Sequence, residues 1–481
     1  MATAAQALKR HDETVAACEK ALAIDPAIEH AEGVRFLAKL NTSDWRNLDD
    51  DRDRLIAGVN RGTLIASPFV MICATSSAPD QLKCAELFAA EGYPATAPHP
   101  EWNASGARDR INVAYVSADF GEHAVSLLTA GLFEHHDRSQ FRTIAISLGR
   151  DDRSRMRDRI KSSFQTFIDA EARSDSEVAT LMRELEVDIA VDLMGFTEGC
   201  RTGIFAQRAA PIQVNYLGYP GTMGVPFIDY IIADRFVIPD ERRRHYGEKI
   251  VCLPDTFQVN DSHRPPVEVS PSREECGLPA HAFVFCAFNT AHKITPLMFD
   301  IWMRLLKGVE HSVLWRVSNG PEVENRLRQE ATSRGVGAER LLFAPRTNYW
   351  DYLKRYRCAD LFLDTLPFNG GTTVSDALWA GLPVVASSGE AFASRMAGSL
   401  LRAIGLPELA TESLQDYEGL ALKLASDRAM LADIKARLSA NRDNSPLFDT
   451  ARFCRHIESA FRTMYDRHRR GEPPADFDVV G

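Results

Sequence analysis

DLFLDTLPFNGGTTVSDALWAGLPVVAS, residues 360–387, decides the fold. Leu361, Phe362 and Leu363 form a short apolar run that ends at Asp364. Asn369, Gly370 and Gly371 break it, and Thr372 and Thr373 open a helix reaching about Ala380. Gly381 and Pro383 stop that helix, and Val384 and Val385 start the next strand. Strand, glycine-containing turn, helix and strand in this order make a βαβ unit. The helix begins at the carboxyl end of a parallel strand, with hydroxyls in its first turn. Free N–H groups and the helix dipole there suit an anion such as a diphosphate. Asp376, one turn in, is placed to accept hydrogen bonds from a ribose. A threonine-capped helix with no ligand accounts for the same residues.

The texture extends in both directions. NVAYVSADF from 112, FRTIAISLG from 141, DIAVDLMGF from 188, PIQVNYLGYPG from 211 and FIDYIIADRFVI from 227 read as strands, with helices such as EHAVSLLTAGLFEHH between them. A second set follows: FVFCAFN, SVLWRV, RLLFAP, LFLDT and LPVVAS. Strands alternating with helices predict doubly wound parallel sheets. The fold class expected is α/β, with two Rossmann-like halves whose ligands bind at the strands' carboxyl ends. The polar, proline-rich stretch 254–275 reads as a linker between them. TARFCRHIESAFRTMYDRHRR, from 450, reads as one amphipathic helix.

Ahead of the sheets lies helical sequence. HDETVAACEKALAIDP, 11–26, has Thr14, Cys18, Ala21 and Pro26 at the spacing of the second helix of a tetratricopeptide repeat. One repeat cannot bury its own face, so stacking on the following helices is expected. Pro94, Pro98 and Pro100 close that region. The division expected is 1–28 partial repeat, 29–108 helical linker region, 109–265 first Rossmann-like half, 266–445 second half, and 446–481 C-terminal helix and tail. Asp49, Asp50 and Asp51, mixed with Arg52, Asp53 and Arg54, contain an Asp-x-Asp pattern, which reads as a solvated helix face.

The 481 residues suffice for about three domains. A formal charge of −10 without a basic domain argues against a nucleic-acid partner. No apolar run has membrane-spanning length, and Met1-Ala2-Thr3 opens no signal peptide, so a cytoplasmic protein is expected. Nine cysteines without a C-x-x-C pair suggest reduced, mostly buried thiols.

Further residues sit at strand ends. His123 follows strand 113–118, where an imidazole suits taking a proton from a hydroxyl; a histidine bonded to backbone at a helix cap fits equally. Lys293 follows strand 283–288, where an ammonium would neutralise a leaving diphosphate; a solvated loop lysine is the alternative. Leu217-Gly218-Tyr219-Pro220-Gly221-Thr222 closes another strand as a ligand loop or a tight turn, and it is no Walker loop. Tyr349, Trp350, Tyr352 and Tyr356 could stack on a base or pack a helix onto a sheet. There is no metal-ligand cluster and no dinucleotide fingerprint.

DFGEH at 119–123, PIQVNYLGYPGT at 211–222, FNTAHK at 288–293, LFLDTLPFNGGTTVSDALWAGLPVV at 361–385 and GEAFASRMAGSLL at 389–401 resemble O-linked N-acetylglucosamine transferases. The resemblance runs from about 7 to 465. It implies a two-domain GT-B enzyme that is inverting and metal-independent, with no cofactor beyond the donor UDP-N-acetylglucosamine. It implies Ser and Thr hydroxyls of intracellular proteins as acceptors. On this resemblance His123 is the active-site histidine, and Lys293 contacts the diphosphate. Gly371, Thr372 and Thr373 hold phosphate, and Asp376 holds the ribose. Leu217, Gly218 and Pro220 line the sugar pocket, Thr290 lies beside the donor, and Thr347 and Tyr352 face the uracil. The chain departs from the animal pattern at Gly371 (histidine), Thr290 (glutamine), Tyr349 (lysine), Tyr352 (histidine) and Glu198 (lysine). The compact halves and short repeat region look bacterial. The departures leave GDP-fucose and UDP-glucose open as donors, and a non-catalytic scaffold is the reading from another class.

Overall fold

The computed structural model of the chain describes residues 9–94, 109–264, 267 and 269–481. Residues 1–8 of the expected repeat, Pro98, Pro100 and the domain boundary expected at 265 and 266 lie outside these. By internal packing the chain forms two units. One joins residues up to Asp80 with Pro265–Ser445; the other joins Gln81–Arg264 with Pro446–Gly481. The helical N-terminal segment thus packs with the second α/β half, and the C-terminal helix with the first.

The unit containing Gln81–Arg264 holds an eight-stranded sheet. Its strands are β1 (Ile111–Ser117), β2 (Phe141–Ser147), β3 (Thr166–Asp169), β4 (Ile189–Asp192), β5 (Ile212–Asn215), β6 (Tyr230–Asp234) and β7 (Lys249–Leu253), with the short β14 (Phe477–Asp478) at one edge. The order is β14-β7-β6-β5-β4-β1-β2-β3, and every pairing is parallel. All seven residues of β1 are buried, as expected for a parallel strand covered on both faces. The chain runs outward from β1 to β3, then returns to place β4 on the other side of β1. Such a reversal opens a crevice at the carboxyl ends of the two flanking strands, here β1 and β4.

The other unit repeats this plan with β8 (Phe283–Cys286), β9 (Ser312–Val317), β10 (Leu341–Ala344), β11 (Leu361–Leu363), β12 (Val384–Ser387) and β13 (Ala410–Thr411). The order β10-β9-β8-β11-β12-β13 reverses between β8 and β11. The N-terminal helices His11–Ile24, Ala31–Asn41, Leu48–Asn60 and Pro68–Ala74 belong to this unit. Trp45 packs on Phe299 at 5.0 Å between ring centres, Arg326 donates to the Thr42 carbonyl at 3.0 Å, and Phe69 meets Phe368 at 6.2 Å. The repeat helix His11–Ile24 packs on the helix Ala31–Asn41 that follows it, as expected, and its Asp12 pairs with Arg326 at 2.6 Å.

Two expectations change. Asp51 is not on a solvated face. It is 3% exposed and pairs with Lys39 at 2.5 Å and Arg35 at 2.9 Å, while Asp49 and Asp53 stay exposed beside Arg52. The first part of the 254–275 stretch is no free linker. Phe257 and Val259 are buried, and Asp261 takes the Arg159 guanidinium at 2.6 Å. Among the described residues, no helix is long and apolar enough to cross a membrane.

The helix Thr450–Arg469 closes the first sheet. Phe453, Ile457, Phe461 and Met464, at helical spacing, enter the core beside Val113 and Tyr115. A buried polar network fixes its register. Glu458 Oε1 accepts from the Asp137 N–H at 2.8 Å and lies 3.0 Å from His136 Nδ1, and His136 Nε2 lies 2.8 Å from the Tyr115 hydroxyl. Cys454 Sγ is 3.8 Å from the same Nδ1. Each of these ligand-type groups is thus already engaged by a neighbour. Glu458→Ala leaves a buried imidazole and an N–H short of an acceptor. It should lower unfolding free energy by about 3 kcal/mol in urea titration, whereas Cys454→Ala should cost about 1 kcal/mol.

Candidate functional site

On the second sheet the site grows from the reversal between β8 and β11. Each strand delivers a polar residue just past its carboxyl end: Asn289 after β8 and Asp364 after β11. The Asn289 amide donates to Asp364 Oδ1 at 2.9 Å and to the Thr365 hydroxyl at 3.1 Å. The same Oδ1 accepts the Gly370 N–H at 2.8 Å. Asp364 therefore fixes the start of the loop that leads through Gly371 into the helix Thr372–Trp379. Gly370 has to be glycine: a Cβ there would lie 2.8 Å from Asn289 Oδ1. Asp364 is 1% exposed and its Oδ2 is buried with no hydrogen-bond partner. Burial pushes its carboxyl up to about 6, against the pull of the Gly370 N–H, Asn289 and the Lys293 charge.

Lys293 ends the turn that follows Thr290. Its ammonium donates to the Asn369 carbonyl at 2.8 Å and lies 3.7 Å from the centre of the Phe368 ring. The helix Pro68–Ala74 adds Phe69 against His292 and places Cys73 near the ammonium. Loss of solvent pushes the lysine down to about 8, with Asp364 opposing. Lys293 as a whole residue is partly exposed. A partly desolvated cation one residue from Gly370, beside a helix N-terminus, suits a phosphate anion. Thr372 and Thr373 lie partly open in the first turn, as expected.

The surroundings of Asp376 and Tyr352 are more crowded than the sequence suggests. Asp376 is 2% exposed, and the Tyr349 hydroxyl donates to its Oδ1 at 2.8 Å. The Tyr352 hydroxyl bonds to the Tyr356 hydroxyl, which in turn donates to the Thr373 carbonyl at 3.3 Å. Phe288 sits 5.9 Å from the Tyr352 ring. Thr347 is exposed in the turn before the helix Tyr349–Arg355, and Thr290 is exposed with its hydroxyl 3.3 Å from His292 Nε2.

On the first sheet His123 is the N-cap of the helix Ala124–His135. Its Nδ1 is 3.3 Å from the Val125 N–H and 3.3 Å from Asp119 Oδ2. Half of the side chain is exposed. Asp119 is raised above its usual range, chiefly by burial, with His123 lowering it and Glu198 raising it. Two strands away, Leu217 adopts a left-handed φ of 69° and Gly218 passes so close to β4's end that a Cβ would meet the Leu193 carbonyl at 1.8 Å. Pro220 is buried. Glu248 holds the loop's far side, accepting from the Thr222 hydroxyl and the Met223 N–H, both at 2.6 Å.

The residues that sequence reasoning passed over are Asp364, Asn289, Asp119, Asp192 and Glu248. Asp192, fully buried at the end of β4, accepts the Met194 N–H at 2.9 Å and is pushed up to about 6 by burial. A carboxylate directly after an apolar strand was the available signal in LFLD and IAVD.

Residues 95–269 and 263–457 match the family model described as glycosyl transferase family 41, and the chain belongs to that family. It is 36% identical over 381 residues to a probable UDP-N-acetylglucosamine–peptide N-acetylglucosaminyltransferase SEC of Arabidopsis thaliana, covering 78% of this chain and 39% of that protein. It is 33% identical over 390 residues to a probable enzyme of the same description, SPINDLY, of Solanum lycopersicum, covering 78% and 41%. The chain thus spans about two fifths of the length of these curated relatives. The structure of an O-GlcNAc transferase mutant of Thermobaculum terrenum superposes with a TM-score of 0.83 at 26% identity, covering 96% of this chain and 88% of that one. The fold is the α/β GT-B type.

The buried Asp364 has a pH signature. Native Asp364 keeps its proton to about pH 6, whereas the unfolded carboxyl releases it near 3.9. Between those values the unfolded state binds fewer protons, so this group's contribution to stability falls as pH rises, by up to ~3 kcal/mol. Asp364→Asn keeps an acceptor for Gly370 and has no charge to bury. Urea unfolding at pH 4, 5, 6 and 7 should show the variant gaining on the wild type across that window, with no further gain above pH 7.

Proposed function

We propose that this family 41 chain transfers N-acetylglucosamine from UDP to Ser or Thr hydroxyls of a protein, with inversion and without a metal ion. The observation that carries the reading is Lys293 held against the Asn369–Gly370 turn at the head of the helix Thr372–Trp379. Donor and acceptor class come from the descriptions of the relatives. In this mechanism the Gly371, Thr372 and Thr373 N–H groups and the Lys293 ammonium take the charge of the departing diphosphate, the task a divalent cation performs elsewhere. The acceptor oxygen forms its bond to the anomeric carbon on the face opposite the leaving UDP oxygen, which inverts that carbon. The hydroxyl proton goes to a base, for which His123, the Asp119 carboxylate or the donor phosphate are the candidates. Leu217, Gly218 and Pro220 shape the sugar's surroundings, Asp376 takes the ribose, and Thr347 with Tyr352 borders the base.

A second donor remains a distinct reading because the Tyr349 hydroxyl occupies one oxygen of Asp376. Isothermal titration with UDP, UDP-N-acetylglucosamine, UDP-glucose and GDP-fucose separates the two. Tightest binding of the UDP pair supports the first reading, preference for another donor keeps the scaffold and changes the sugar, and no binding removes the enzyme reading.

Two variants test the roles. Lys293→Ala should abolish transfer and weaken UDP binding. In the wild type, UDP affinity should fall about tenfold from pH 7 to pH 9 as a lysine with a pKa of about 8 loses its charge; the variant should lose this dependence. His123→Ala should lose transfer while keeping UDP affinity within about twofold, since a proton acceptor contributes to the chemical step and not to donor binding.

A further inference from the structure

We propose that Cys276 and Cys358 form a reversible oxidation site, converted by a peroxide into a disulfide. Their sulfurs lie 3.7 Å apart across 82 residues of sequence. Cys276 sits in the turn ahead of β8 and is partly exposed; Cys358 ends the turn Tyr356–Cys358 ahead of β11 and is 4% exposed. The contact is built into the fold and does not come from two mobile loops. Arg273, three residues before Cys276, donates to the Cys358 carbonyl at 3.0 Å and the Ala282 carbonyl at 2.8 Å, and pairs with Asp360 at 2.7 Å. Cys358 Sγ also lies 3.2 Å from the Pro271 carbonyl. A bond of about 2.05 Å needs the sulfurs to close by less than 2 Å, within reach of side-chain rotation.

The exposure difference sets the order of events. The Cys276 thiolate attacks one peroxide oxygen; the O–O bond breaks, leaving Cys276 as sulfenic acid and releasing one water once a proton is taken up. The Cys358 sulfur then attacks the sulfenic sulfur, and its proton leaves with the displaced hydroxyl as a second water. Two thiols and one peroxide become one disulfide and two waters; two electrons pass from sulfur to oxygen. Cys358 is 4% exposed and its thiol is raised by burial, so peroxide reaches the partly exposed Cys276 first. Of the other seven cysteines, Cys18, Cys73, Cys84, Cys252, Cys286 and Cys454 are buried, and Cys200 is partly exposed. The bridge would tie the turn ahead of β8 to the segment carrying Tyr356, whose hydroxyl holds the Thr373 carbonyl. This inference stands whether or not the chain transfers a sugar.

The test treats the folded full chain with one equivalent of hydrogen peroxide, alkylates free thiols, and maps peptides without reductant. A Cys276–Cys358 linked peptide, two hydrogens lighter than its parts and released by dithiothreitol, is expected. Its midpoint of thermal unfolding should exceed that of the reduced chain, because the cross-link closes a long loop. Cys276→Ser should abolish both effects. Cys358→Ser should let sulfenic acid accumulate at Cys276, trapped by dimedone. Absence of the linked peptide, pairing of Cys276 with another cysteine, or no sulfenic acid in Cys358→Ser would overturn the proposal.

Discussion

The candidate donor site hangs on one buried carboxylate. Asp364 Oδ1 receives the Gly370 N–H and the Asn289 amide, and so ties the end of β11 to the end of β8 and to the loop before the helix. Without that acceptor, the Gly370 N–H would be left buried and unpaired, and the Asn289 amide would keep only its bond to Thr365. Lys293 then depends on the loop, because its hydrogen-bond partner is the Asn369 carbonyl inside it. The order of causes runs from strand end to carboxylate, from carboxylate to loop, and from loop to ammonium.

The first sheet uses the same device. Asp192 ends β4, the strand across the reversal from β1, as Asp364 follows β11, the strand across the reversal from β8. Both are buried, both are pushed up to about 6, and both accept a backbone N–H from the turn that follows. In each sheet the cost of burying a carboxylate is offset by fixing a turn at the place where ligands gather in such folds. The turn after β4 is the one Gly218 passes at close range, so the Leu217–Pro220 loop inherits its position from Asp192.

Much of this was legible because parallel strands buried on both faces are continuous apolar runs. NVAYVS and SVLWRV could be read as strands from residue type alone. β3, β7, β13 and β14 were passed over. β3 is only partly buried, and β13 and β14 are two residues long, so neither length nor periodicity marks them. The 254–264 stretch misled for a related reason: Pro254 and the polar residues after it look like a linker, while Phe257, Val259 and the Arg159 pair that pack it lie in tertiary contacts. Asp51 misled likewise, since Lys39 and Arg35 are on another helix. The strand-end positions of His123 and Lys293 were legible; the pairings around them were not. The Tyr349–Asp376 bond spans 27 residues and the Cys276–Cys358 contact 82, beyond any local pattern.

His123 shows why one position supported two readings. Its Nδ1 lies at the same distance from the Val125 N–H and from Asp119 Oδ2, and a nitrogen serves only one of them at a time. When Nδ1 accepts from Val125, the neutral ring carries its proton on Nε2 and acts as a helix cap. When Nδ1–H donates to an ionised Asp119, the lone pair moves to Nε2 and the ring can take a proton from a hydroxyl. Burial and Glu198 disfavour the Asp119 charge, and the charge of a protonated His123 favours it. The cap and the proposed base therefore correspond to two hydrogen-bonding states of the same residue. The Asp119 carboxylate, four positions earlier on the same turn, supplies the difference between them.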